Sequence, residues 1–422
     1  MKTDNNSGVI LVAVVCFTAI TAILVLGILS ESGSQLKMAD RQVRREQAFY
    51  VAEGGAERAV SFIANNVGIV SGVGTGSIGK GTFYVTFDST VGSGGRAYTI
   101  VSTGAVNGIT KGVIMTGVRQ DSWARYALWY DHSGGPIYFR AGETNNGPVH
   151  SNTNIYLEDN PVFNGPVTCV PTNWGQWSDT AVFSSNGFQL GVAYQSMASV
   201  NFTNLRAAAG MVVTGFTSIT LAGTNMIASN AGRHWTNTPV MFPTNGLIYV
   251  SGGTTGTVQV GGQLHGALTI AADYDIKITN HITYAVHPTN NSDDALGLVA
   301  RHDVEVATVA PNNVNIFAHI ISCNTDTNFN AGFHVEDYDT RTDSGKLTVY
   351  GGIVQNNRGA VGTQGSSWVW SWPSGWTLVP VQTGFLKNYT YDVRFGTVPP
   401  PYYPTVNDVY IKTSWREIKH AP

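Results

Sequence analysis

Asp293, Asp294, Arg301 and His302 fall within ten residues and supply two carboxylates, a guanidinium and an imidazole. Paired carboxylates can serve as acid and base or bind calcium. His150 stands in GPVHSN, and His281 and His287 bracket a strand-like segment, so further imidazoles are at hand. A local role competes with chemistry at each position. In NNSDDALG an aspartate is a turn or cap residue whose side chain bonds nearby backbone N–H groups. Arg301, in a short strand, reads as an outward, solvated side chain. The ten histidines are scattered, and no Ser/His/Asp, H-E-x-x-H or G-x-S-x-G pattern occurs. Cys16, Cys169 and Cys323 form no C-x-x-C or Cys/His spacing of a zinc site. No catalytic residue, metal or cofactor is therefore expected.

A second set is aromatic. Trp174, Trp177, Trp368, Trp370, Trp372 and Trp376 lie in loop-like text, the last four in GSSWVWSWPSGW. Aromatic faces there can stack on surface carbohydrate or insert into a partner surface. Alternatively, the alternating tryptophans of WVWSW pack one face of a hairpin or cap a stack of repeats.

The elements that carry these groups follow from hydropathy. Val9 to Ser30 is an uncharged apolar run of 22 residues, enough for a helix to cross a hydrocarbon core about 30 Å thick. From Glu31 to about Asn66 there is no proline, charges alternate in sign, and Leu36, Ala39, Val43, Phe49, Ala52, Ala56, Ala59 and Phe62 keep a helical spacing. One long helix is expected, apolar over 9–30 and amphipathic over 31–66. Ala48, Ala52, Gly55, Ala56 and Ala59 form a stripe of small residues that another helix or a sheet can approach closely. Only Lys2 precedes the span, whereas Lys37, Arg41, Arg44 and Arg45 follow it. The positive-inside rule alone would therefore turn the large C-terminal part toward the cytoplasm.

The polar leader MKTDNNSG, the apolar run and the motif R-x-x-QA(F/Y)xxAExGxExA over Arg44–Ala59 resemble the N-terminus of type IV pilins. The similarity is greatest to PilX-type minor pilins and to the large GspK-type pseudopilins of type II secretion. It implies a leader, 1–8, removed by a prepilin peptidase between Gly8 and Val9. It also implies a single-pass anchor in a bacterial inner membrane, an ectodomain outside the cytoplasm, and other pilin or pseudopilin subunits as partners. Major pilins carry glutamate at the fifth mature position, where this chain has Ala13. The GspK-like group also lacks it, and a subunit without it is expected near a filament tip. An extracytoplasmic location would allow Cys169 and Cys323 to pair.

Charged residues make up 12% of the 422, net charge is −3, and Gly numbers 48, while hydrophobic residues still reach 43%. That is a turn-rich β composition without the basic footprint of a nucleic-acid partner. Over 67–119 the period falls to two: GTFYVTF, RAYTIVSTGAV and TKGVIMTGV, separated by GSGG and VNG, predict a pilin-like antiparallel meander. Over 120–405 short apolar-x-apolar segments recur, among them Phe216–Ala222, Leu247–Ser251, Gln263–Ile270, Leu298–Val306, Val314–Ser322 and Lys346–Val354. Asparagine and glycine mark their corners. The expected fold is mainly β, a right-handed parallel β-helix-like ectodomain, with a β-sandwich as the alternative. Residues 406–422 are expected to be a C-terminal tail. ARYALWYD, NGPVHSNTNIYL, SDDALGLVARHDVEV, YGGIVQNNRGAVGT, TGFLKNYTYDVRF and PPPYYP together resemble pilin-like envelope proteins whose ectodomain has no known function.

Overall fold

The computed structural model describes residues 6–65, 71–92, 95–172, 181–183, 187–197, 200–323, 331–396 and 398–418. The chain is mainly β, with one long N-terminal helix, an antiparallel sheet and a large mixed sheet. It divides into two compact units. One comprises Met1–Thr90, Arg96–Arg119 and Tyr410–Pro422; the other comprises Val91–Gly95 and Gln120–Val409.

In the first unit a continuous helix of 60 residues, Asn6–Asn65, runs through both halves expected from the sequence. Its apolar half is bare: every large side chain from Val9 to Leu29 is exposed. Its second half buries Ala48, Val51, Ala52, Ala56, Ala59 and Ile63 against Phe83, Val85, Phe87, Tyr98, Ile100, Val113 and Met115. The small-residue stripe thus receives a sheet. That sheet comprises Gly72–Ile78, Gly81–Gly92, Gly95–Val106 and Ile109–Ser122. Asn107 and Gly108, both at positive φ, close the tight turn between Val106 and Ile109, because a two-residue hairpin matching strand twist needs left-handed backbone. The stretch expected to be a tail instead adds two strands, Thr405–Ile411 and Ser414–Ile418, the second antiparallel to Gly112–Thr116. Its apolar content was too low to reveal this.

Gly104 is where strand and helix backbones come closest. A Cβ there would lie 2.2 Å from the Ala48 carbonyl oxygen and 2.4 Å from Ala52 N. Backbone cannot swing aside as a flexible side chain can, so Gly104→Ala should destabilise this unit by about 1–3 kcal/mol. Urea denaturation followed by near-ultraviolet dichroism checks it. A cost within a few tenths of a kcal/mol would show that the sheet can lift without penalty.

The second unit is built from parallel pairings between strands that are not sequence neighbours. Ile219 pairs with Val260, Val260 with Ile278, Ile278 with Val306 and Val306 with Val335. A second stack runs Met211, Ile248, Ile270, Leu298, Ile320, Ile353, Leu128, Val149, Val167, Phe188. Chain order and spatial order differ here. Lys346–Arg358 lies between Asn315–Ser322 and Leu128–Ser133, so the last strands of one run pair with the first strands of the other. Among the described residues, Thr217–Gly223, Asn225–Asn230 and Trp235–Met241 interrupt the parallel pattern with an antiparallel meander. A seven-residue helix, Phe202–Ala208, capped by Asn201, was not visible in the hydropathy pattern.

Several strands are buried on both faces. In Leu247–Ser251, Ile248 and Val250 enter one apolar cluster with Ile270, Leu298 and Ile320; Leu247 and Tyr249 enter another with Trp129, Val299 and Phe395. Continuous apolar runs such as LIYV and ALGLVA are what a parallel strand between two cores requires. Each fully buried Ile or Leu contributes about 1.5–3 kcal/mol of transfer free energy.

Candidate functional sites

The groups that could have formed a catalytic cluster are dispersed. Asp294 and His302 sit at opposite ends of the strand Ala295–Ala300. Asp294 is buried, and its carboxylate accepts hydrogen bonds from Gly266 N, Val286 N and His265 Nδ1 at 2.6–3.0 Å. Burial alone would raise its pKa, but the Val286 and Gly266 N–H groups and His265 outweigh it and hold the carboxyl below its usual value. His302 donates from Nδ1 to Asp275 at 2.6 Å and stacks on Tyr274 at 4.6 Å. The Asp275 bond, working against burial, raises its pKa. Arg301 lies over the Phe202 ring and 3.8 Å from Asp273.

His150 is fully buried, 2.8 Å from Thr168 Oγ1 and 3.0 Å from Asn152 Oδ1. His281 accepts from Asn315 N, and His287 caps the turn at Thr289. These imidazoles anchor backbone and neighbouring side chains; His150 meets the Thr168 hydroxyl, with the Asp131 carboxylate one residue further on, bonded to Asn152. Two groups bring His and Asp atoms within 4.8 Å of one another: His265, Asp293 and Asp294, and Asp275, His302 and Asp303. In both, the central carboxylate is already occupied by N–H donors, so its capping role accounts for the cluster.

Cys169 and Cys323 are both free, which corrects the pairing expected if the ectodomain were oxidised. Strand alternation explains it. Cys169 joins the cluster with Val167 and Phe163, whereas Cys323 joins Ile321 and Val299 on the other face of the strands. Burial pushes the Cys169 thiol up to about 11 and the Cys323 thiol to about 12, so neither is poised to react.

Two surfaces remain as candidates for function. The first is the bare apolar half of the helix. Val9 and Ala13 are exposed on it, and no charged residue occurs between Gly8 and Glu31. Among the described residues it is the one helix long and apolar enough to cross a membrane. The second is the hairpin of Gly362–Ser371 and Gly375–Gly384, a two-stranded sheet on its own. Trp370 faces Trp376 across the strands and Trp368 is two residues further along, so the three share one face. Trp372 stands at the turn. Their exposures are 63% for Trp368, 55% for Trp370, 84% for Trp372 and 66% for Trp376, so they neither pack a core nor cap the stacked strands. Trp174 and Trp177 lie outside the described residues.

A buried ion pair went unforeseen. Lys387 Nζ lies 2.8 and 3.0 Å from the two Glu143 oxygens and 3.0 Å from the Tyr138 carbonyl. Arg358 stacks 3.8 Å above Phe139 beside it. Burial lowers the Lys387 pKa against the pull of Glu143.

Residues 82–171, under a quarter of the chain, match a family described as a domain of unknown function, DUF4900. No curated protein matches. Among solved structures, the competence-associated pilin ComZ from Thermus thermophilus is similar at 11% identity, with 89% of this chain and 98% of that chain covered. Its TM-score is 0.34.

Proposed function

We propose that this chain is a pilin-like structural subunit, held in the inner membrane by residues 9–30 and carrying a large ectodomain outside the cytoplasm. The supporting observation is the division of labour along one unbroken helix: bare and apolar from Val9 to Leu29, packed on its own sheet from Ala48 to Ile63. A helix with a 21-residue unpartnered apolar half needs lipid or other helices around it. Both are supplied to a subunit that waits in a membrane and then joins a bundle of similar subunits.

On this reading a prepilin peptidase cleaves after Gly8, the partners are other pilin or pseudopilin subunits, and the role is non-enzymatic. The parallel stacks of the ectodomain are read as coils of a β-helix. The dispersal of Asp294, His302, His150 and His281 into separate backbone-anchoring roles favours assembly over catalysis.

N-terminal sequencing of chain extracted from membranes of cells containing a prepilin peptidase is expected to begin at Val9. An intact Met1 in the membrane-extracted protein would overturn the proposal. Alkaline phosphatase fused after Asn66 should be active, placing the ectodomain outside despite Lys37, Arg41, Arg44 and Arg45.

A further inference from the structure

We propose that the hairpin of Gly362–Ser371 and Gly375–Gly384 is a wedge that inserts shallowly into the interface of a lipid bilayer. Three observations carry this. Apolar side chains are exposed on both of its faces: Trp368, Trp370 and Trp376 on one, Val369 and Val381 on the other. The turn itself presents Trp372, the most exposed of the tryptophans, beside Pro373. From Gly359 to Leu386 the chain has no Asp, Glu, Lys, Arg or His.

A surface that buries one face against a protein would leave its other face polar. Here exposed apolar side chains stand on both faces and at the tip, among the uncharged Ser371, Ser374 and Thr377, which suits a medium that surrounds the hairpin. Tryptophan is the side chain enriched where an apolar ring must sit beside water.

A glycan platform fits less well. Sugar hydroxyls need amide, carboxylate or cationic partners near the stacking ring. None occurs among residues 366–380, and Gln364 is about 13 Å along the strand from Trp368 at 3.3 Å per residue. The depth of insertion is limited by the backbone. A two-stranded sheet leaves its outer N–H and C=O groups unpaired, and hydrocarbon cannot satisfy them. The tip and the Trp370–Trp376 pair therefore enter the headgroup boundary, while the base stays wet. There Thr383 bonds to the Tyr338 carbonyl and Gln364 accepts from Arg140.

The inference does not depend on whether the helix enters a filament, because it concerns a second membrane contact made by the ectodomain. The test uses the full chain held through its helix in nanodiscs of ordinary phosphatidylcholine, mixed with separate vesicles of dibrominated phosphatidylcholine. The first tryptophan of the chain is Trp123, so emission reports the ectodomain and never the helix. Vesicles are expected to quench and blue-shift the emission equally at low and high salt. Trp372→Ser should weaken vesicle affinity by about tenfold, the effect of leaving one large ring in water. Replacing Trp368, Trp370, Trp372 and Trp376 together with Ser should abolish it. Trp372 is so exposed that its single replacement carries the test even if the fourfold variant fails to fold. Absence of quenching overturns the proposal, as does quenching unchanged in Trp372→Ser. Displacement of vesicles by a soluble polysaccharide would also overturn it, in favour of a glycan surface.

Discussion

Lys387→Met is expected to destabilise the β-rich unit by about 3–5 kcal/mol, the cost of leaving a buried charge without its partner. Glu143 is 3% exposed, and both of its carboxylate oxygens receive the Lys387 ammonium. Without lysine, the carboxylate keeps one backbone donor, Arg140 N at 3.1 Å. The double variant Lys387→Met/Glu143→Leu should recover most of the loss, because apolar residues of similar volume remove the desolvation penalty of both ions. Urea denaturation of both variants decides the matter. If single and double variants lose the same stability, the loss comes from packing around Phe139 and not from the orphaned charge.

Acidification from pH 6.5 to 4.5 should cost the same unit about 2–3 kcal/mol through one histidine. His319 is fully buried; its Nε2 donates to the Tyr126 carbonyl at 3.0 Å, and its Nδ1 accepts from Tyr403 Oη at 2.6 Å. Burial, against the Tyr126 bond, depresses its pKa to about 3. Above pH 6.5 the imidazole is neutral folded or unfolded and pH has no effect through it. Between 6.5 and 3 the unfolded chain takes up a proton that the folded one refuses, so stability falls by about 1.4 kcal/mol per pH unit.

His302 and His334, whose pKa values are raised, act above that window: their stabilisation grows as pH falls toward 6.5 and is complete below it. Asp273, Asp294 and Glu305, whose values are lowered, add losses at the acid end. The informative measurement is therefore a difference. His319→Gln should show a shallower decline between pH 6.5 and 4.5 than the parent, by close to one proton. Identical slopes would mean that His319 titrates normally in the fold.

The helix was legible because nothing interrupts it: no proline from Val9 to Asn66 and apolar positions at helical spacing from Leu36 to Phe62. The meander was legible from its period of two and its Asn107–Gly108 turn. Strand positions in the β-rich unit were also readable, Leu247–Ser251 to the residue. Strand partners were not. Alternation says which side chains are buried, but it does not say that Ile353 will lie beside Leu128, 225 positions earlier. Closeness in sequence is no measure of closeness in space at Asp294 and His302, which a six-residue strand holds about 20 Å apart.

Alternation alone could not choose between a surface-binding and a packing role for Trp368 and Trp370. Their alternation correctly signals a hairpin, but alternation of apolar residues ordinarily means burial, and here both faces are wet. Lys387 could have been found, since it shares its inward register with Phe385 and Tyr389, both buried. The stack order was out of reach, because it depends on loop closures that leave no local imprint.

The strands Thr405–Ile411 and Ser414–Ile418 complete a sheet whose other members end by Ser122, so nearly 300 residues of ectodomain are spliced into the circuit of the smaller unit. This dictates an order of events during synthesis. The helix and four strands emerge first and wait with one edge of Ile109–Ser122 open until these two strands are made, and an open edge is an invitation to foreign strands. It also dictates how load is carried. A pull on the inserted body enters the smaller unit through two neighbouring antiparallel strands at once. Lys111 ties to Glu417 across them and Lys412 to Glu57 on the helix, so tension would be shared as shear along a ladder instead of peeling one terminus away.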